Sequence, residues 1–155
     1  QRIERVTLRR ADLRFAFPPD LVQALTGARV TGLGRRAKYG LIHTDRARTL
    51  VFHLGMSGRW RIDPAELAVH DHLLLETAAH RFALNDARRF GFVDLVETAR
   101  LDAWPAFAAM GPEPLGDDFC GPYLARALAG RRQAIKLALL DQRIVAGLGN
   151  IYVCE

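Results

Sequence analysis

Apolar residues fall in short runs over the first two thirds of the chain. Residues 3–8, 28–33, 39–43, 49–54, 70–76, 81–85 and 92–96 are apolar-rich, and clusters of Gly, Asp and Pro separate them. Runs of this length between turn formers predict strands. Their even spacing predicts a β-sandwich or a barrel. One short helix interrupts them: Pro19-Asp20 opens it, Leu21, Val22, Ala24 and Leu25 fill it, and Gly27 closes it. No internal repeat or low-complexity segment is present.

The period changes after residue 98. Residues 101–110 read as a helix, or a linker broken at Pro105, and Gly111-Pro112-Glu113-Pro114 marks a boundary. Asp117 or Asp118 is expected to cap a helix running through Tyr123 and Leu128 to Gly130. A second helix holds Ala134, Ile135, Leu137, Ala138, Leu139 and Leu140. Gly147-Leu148-Gly149-Asn150 reads as a tight turn, with Asn150 as N-cap of a helix beginning Ile151-Tyr152-Val153. A helix that short does not stand alone, so the natural protein is expected to continue past Glu155. Gln1 in place of an initiating Met suggests the same at the other end. Residues 1 to about 97 should then be sheet, and residues from about 112 helical.

Composition narrows the class. Half of the 155 residues are hydrophobic, enough for one domain or two small ones, and the net charge is +5. A basic balance favours a polyanionic partner, nucleic acid before membrane, although an inert basic surface has the same charge. No apolar run approaches the roughly 18 residues of a membrane span, and the first residues have no signal-peptide layout. Two cysteines, Cys120 and Cys154, make neither a disulfide framework nor a zinc pattern. A reducing cytoplasm is the default compartment.

Of the 22 basic residues only Lys38 and Lys136 are lysine. Either these two lysines are chance survivors in an Arg-rich chain, or they stand where a releasable proton is useful, which guanidinium does not offer. Lys38 sits in Arg35-Arg36-Ala37-Lys38-Tyr39, where neighbouring cations would lower its pKa and suit it to proton transfer. A phosphate clamp or a solvated strand entry fits the same residues. His53-Leu54-Gly55-Met56-Ser57-Gly58 ends a strand in a glycine-bracketed turn with Met56 at its tip. Asn85-Asp86-Ala87-Arg88-Arg89-Phe90-Gly91 places two arginines before an aromatic. Each could be an ordinary turn with one residue in the core. Together they suggest a wedge that fills the space left when a base leaves the stack.

These stretches, with Gly111-Pro112-Glu113-Pro114-Leu115, Ala134-Ile135-Lys136 and Gly147-Leu148-Gly149-Asn150-Ile151-Tyr152, resemble bacterial formamidopyrimidine-DNA glycosylases in identity, order and spacing. The resemblance covers nearly the whole chain. It implies an α+β fold: an N-terminal β-sandwich over residues 1–110, then the start of a helix–two-turn–helix DNA-binding domain over 111–155. It implies that Met56, Arg88 and Phe90 form the base-flipping wedge, with Arg88 facing the orphaned base. Lys38 would serve near the scissile phosphate as a proton donor in strand cleavage. His70, Arg88, Arg131, Lys136 and Asn150 would contact DNA. Arg131 stands where the family tends to carry Lys.

The resemblance also implies parts outside this stretch. The family's nucleophile is an N-terminal proline followed by an acidic residue, and neither stands at Gln1-Arg2. About twenty N-terminal residues and a C-terminal part, with one structural zinc possible there, are expected beyond the two ends. No cofactor or metal is expected in this stretch, which alone should be inactive. The parent would be a monomeric bacterial enzyme acting on damaged double-stranded DNA, without a membrane. It would remove 8-oxoguanine and formamidopyrimidines through a Schiff base and cut the strand by β,δ-elimination. The alternatives are a non-catalytic lesion-binding relative and an endonuclease VIII-type glycosylase for oxidised pyrimidines.

Overall fold

Side chains alternate across extended backbone, and in the computed structural model, which describes residues 1–155, that alternation builds two antiparallel sheets. The strands are β1 (Arg5–Leu8), β2 (Val30–Arg36), β3 (Tyr39–Thr44), β4 (Arg48–His53), β5 (Arg59–Ile62), β6 (Asp71–Glu76), β7 (Arg81–Asn85) and β8 (Phe92–Glu97). Their orders are β1-β6-β7-β5 and β2-β3-β4-β8. Leu73 and Leu75 from β6, Leu84 from β7, Leu50 from β4, and Val93 and Leu95 from β8 meet in one hydrophobic core with Ile3, Val6, Leu13 and Phe17. The helix α1 (Leu21–Leu25) adds Leu21 and Leu25, both fully buried. It ends at Gly27, whose φ of +81° suits the residue after a helix C-cap. Its N-cap Asp20 makes no capping bond and pairs instead with Arg48 at 2.7 Å.

One strand lies outside the seven apolar runs. β5 reads Arg59-Trp60-Arg61-Ile62, and two arginines in four residues look like a polar connection. Tertiary partners make it a strand. It pairs with β7 from Arg59↔Asn85 to Ile62↔Phe82. Trp60 packs edge-on against Phe52, and Arg61 reaches the fully buried Asp71 at 2.6 Å. Asp71 is satisfied further by Asn85 and by the Ala68 N–H. An apolar cavity of 540 Å³ lies beside Trp60, among Ile3, Leu33, Leu41, Leu75 and Phe82, and the buried Trp60 Nε1 has no hydrogen-bond partner.

The chain divides into two compact units: Gln1–Arg35 with Tyr39–Leu101, and Arg36–Lys38 with Asp102–Glu155. In the second unit the helices are α2 (Pro105–Ala108), α3 (Gly121–Leu128), α4 (Ile135–Leu140) and α5 (Asn150–Cys154). In the segment 101–110, Pro105 opens the helix instead of breaking one, as its missing N–H allows. The α3 cap is Cys120, not Asp117 or Asp118. A helix capped at Asp118 would carry Pro122 in its interior, where the ring clashes and an N–H is required. The α5 cap is Gly149, one residue before Asn150, which is the first helical residue. The Gly111 N–H bonds to the Gln142 carbonyl and the Ala146 N–H to the Pro112 carbonyl, while Tyr123 Oη donates to Ile144. These bonds fasten the 111–114 segment along residues 142–146.

Candidate nucleic-acid interface

Two turns of the first unit meet through glycine. Gly55 has φ +61°, and a Cβ there would stand 2.6 Å from the Phe90 carbonyl carbon and 2.7 Å from the Gly91 nitrogen. A Cβ on Gly91 would stand 2.6 Å from the His53 carbonyl oxygen. These neighbours are backbone, so no rotamer change relieves the clash. Glycine in both turns is therefore a requirement of their approach.

Asp86 fastens the turns together. Its Oδ1 accepts the Ser57 hydroxyl at 2.6 Å, and its Oδ2 accepts the Gly91 N–H at 2.8 Å. Ser57 Oγ accepts the Arg88 N–H at 3.3 Å. The Asp86 backbone is held as well, by the His70 carbonyl at 3.0 Å and by His72 Nε2 at 2.9 Å. A carbonyl only accepts, so Nε2 carries the His72 proton. Asp86 is 1 % exposed. Burial pushes its carboxyl up, but hydrogen bonds from Ser57 and from the Gly91, Arg89 and Arg88 N–H groups outweigh that and hold it below the ordinary carboxylate range.

This frame presents apolar side chains to solvent. Met56 is 76 % exposed and Phe90 45 %. The Arg88 guanidinium lies 4.4 Å from the centre of the Phe90 ring, a cation–π distance. Met56, Arg88 and Phe90 line one recess of 790 Å³ with Arg14, His53 and Arg89. Arg89 takes φ +55° and bonds to Asp12 at 3.2 Å. A core needs none of these positions. A surface that meets phosphates and fills a gap in a base stack uses both kinds of side chain. His70 is exposed, with its ring 6.0 Å from that of His72.

In the second unit Lys38 stands in a tight bend. Ala37 is buried with φ +52°, and its N–H donates to Glu113 Oε1 at 2.6 Å. The same oxygen takes Arg36 Nη1 at 3.0 Å, while Arg36 Nη2 reaches the Gly111 carbonyl at 2.7 Å. Lys38 Nζ donates to the Leu148 carbonyl at 3.0 Å. Desolvation by neighbouring protein lowers its pKa below the ordinary lysine value, the direction that eases release of a proton. Lys38 is thus brought to the 147–150 turn, where Asn150 is exposed. Arg131 and Lys136 are exposed and held elsewhere, Arg131 Nε by the Ala127 carbonyl and Lys136 Nζ beside Cys154 Sγ at 3.0 Å. No group of three or more His, Cys, Asp or Glu side chains converges on a possible metal position, and both cysteines are free and exposed.

The roles of Ser57, Glu113 and Gln142 emerge only in three dimensions. Asp86 alone had a local signal, since an Asp before a turn commonly accepts N–H groups a few residues on.

Comparison with known proteins gives a consistent picture. Residues 1–93 match the family model described as the formamidopyrimidine-DNA glycosylase N-terminal domain, and residues 110–155 match the H2TH domain of the same family. The chain is 71 % identical over 155 residues to the formamidopyrimidine-DNA glycosylase of Erythrobacter litoralis, covering 100 % of this chain and 57 % of that protein. It is 70 % identical over 156 residues to that of Novosphingobium aromaticivorans, covering 100 % and 58 %. The Lactococcus lactis glycosylase solved non-covalently bound to DNA with an abasic site superimposes with a TM-score of 0.89 at 32 % identity, over 99 % of this chain and 60 % of that one. Its complex with DNA containing FAPY-dG gives 0.89 at 33 %, over 99 % and 58 %. The chain therefore spans less than two thirds of the length of these relatives.

Proposed function

Because this chain belongs to the formamidopyrimidine-DNA glycosylase family, we propose that the full-length protein excises oxidised purines from duplex DNA and then cleaves the abasic strand. The observation that carries this reading is the recess holding Met56, Arg88 and Phe90. An enzyme acting on a base in a duplex must extrude it and stabilise the gap. Met56 is flexible and apolar and fills the vacated space. Phe90 enters the neighbouring step, and Arg88 offers its donor fork to the base left without a partner. The FAPY-dG and abasic-site DNA held by the Lactococcus lactis relative supports the same reading.

The chemistry needs an amine nucleophile, which we assign to an N-terminal proline outside this chain. Its attack on the sugar C1′ expels the base and leaves a Schiff base, from which β- and δ-elimination cut the strand. Lys38 donates a proton to the leaving phosphate oxygen, and its lowered pKa favours that step. His70, Arg131, Lys136 and Asn150 contact the phosphate backbone. A structural zinc in a C-terminal part has no ligand set among these residues, and no step above uses it.

Borohydride trapping tests the reading. The full-length protein should form a covalent adduct with a duplex carrying one 8-oxoguanine and none with the undamaged duplex. Release of no base and formation of no adduct on the lesion duplex would overturn it.

A further inference from the structure

The Gln142 side chain uses both ends of its amide. Its Oε1 accepts the Gly147 N–H at 2.8 Å, and its Nε2 donates to the Leu148 carbonyl at 2.9 Å and the Leu140 carbonyl at 3.1 Å. The Leu148 carbonyl is the same oxygen that accepts Lys38 Nζ at 3.0 Å. Leu148 lies between two glycines, and Gly147 has φ +87°. Glycine restricts its neighbours little, so nothing local fixes where the Leu148 carbonyl points. Gln142 supplies that constraint by bonding on both sides of the turn.

We propose that Gln142 is a positioning residue for Lys38, acting through the Leu148 carbonyl that it shares with the lysine ammonium. The inference rests on the reading of Lys38 as proton donor in strand cleavage. The backbone end of the lysine is fixed independently, since Glu113 holds the Ala37 N–H and the Arg36 guanidinium, the two residues that lead into it. A four-carbon stem leaves the ammonium many places to go. A carbonyl pinned by a second donor holds one of its three N–H groups, and the other two remain for a phosphate oxygen. An ammonium held this way donates from one position instead of searching for it.

The test uses the full-length protein and a duplex with a pre-formed abasic site, in single turnover from neutral to alkaline pH. Gln142→Met keeps the length of the side chain and removes all three hydrogen bonds. It should slow cleavage on the order of tenfold when Lys38 is present, and by less than about twofold in a Lys38→Ala background. Equal losses in the two backgrounds would overturn the proposal, because Gln142 would then act independently of Lys38. Should Gln142→Met fail to fold, Gln142→Glu keeps the acceptor for Gly147 and places a carboxylate near the ammonium. That variant should move the alkaline limb of the rate profile upward, and an unmoved limb would contradict the proposal. If Lys38→Ala cleaves like the unaltered protein, the role of Lys38 falls and this inference with it, while borohydride trapping would still report the glycosylase reading on its own.

Discussion

The Ser57 hydroxyl donates a 2.6 Å hydrogen bond to the buried Asp86 carboxylate and so joins two turns 29 residues apart. The side chains on those turns, Met56 on one and Arg88 and Phe90 on the other, face the same recess because of this frame. Asp86 also bonds to the Gly91 N–H, so a single carboxylate serves both turns.

Removing that carboxylate should loosen the recess. Asp86→Ala leaves the Ser57 hydroxyl and the Gly91 N–H without their acceptor and should destabilise the first unit by about 2–4 kcal/mol. Urea denaturation measures it. A loss under about 0.5 kcal/mol would show that water replaces the carboxylate without cost.

Acid should act on the same residue. The Asp86 pKa is lowered in the folded protein. Its contribution is therefore complete above the unfolded carboxylate value, near about 4, and is lost as pH falls through the lower folded value. Asp141, held at about 2 by hydrogen bonds from Arg143, follows the same sign in the second unit. Stability should drop below about pH 4, and Asp86→Asn should flatten part of that drop in denaturation curves. An unchanged slope would remove Asp86 from the acid-sensitive groups.

The glycines of the recess should be intolerant. Gly55→Ala forces a Cβ against the backbone of Phe90 at positive φ and should cost about 1–3 kcal/mol. Gly121→Ala is the control: nothing lies within 4 Å of its added Cβ, and it opens α3. It should be neutral or stabilise by up to about 1 kcal/mol. Melting temperatures of the two variants should move in opposite directions or differ by several degrees.

Much of the fold is visible in the chain itself. β7 matches its apolar run residue for residue, and β6 differs by one residue at its start, because both are short apolar runs bounded by polar residues, buried continuously over Asp71–Leu75 and Ala83–Asn85. β5 is not visible, because Arg61 becomes a strand residue only through Asp71, a partner supplied by tertiary structure. The cap at Cys120 differs from the predicted Asp117 or Asp118 because Pro122 must stand in the first turn, and α5 starts one residue earlier than predicted, with Gly149 as its cap and Asn150 already helical. At the site, the exposed Met56 and Phe90 are marked by motifs. Asp86 has the local signal of an Asp before a turn, whereas Gln142 acts through backbone groups that only the folded turn brings near, and residue type alone does not announce that.

Phosphate contacts should show in the salt dependence. Arg131 is exposed just past the end of α3, and its Nε is bonded to the Ala127 carbonyl of that helix. In the full-length protein Arg131→Ala should weaken binding to all duplex sequences about equally and flatten the slope of log affinity against log salt by about one. An unchanged slope would take Arg131 off the interface.

The most direct test of the central claim is single-turnover kinetics of Met56→Ala and Phe90→Ala in the full-length protein on two duplexes, one with a damaged base and one with a pre-formed abasic site. Unstacking a base step costs a few kcal/mol. Loss of either side chain should therefore slow excision of the base by about one to two orders of magnitude. Cleavage of the abasic site should slow much less, because no base remains to be extruded. Equal losses on the two substrates would contradict the assignment of Met56 and Phe90 as the wedge.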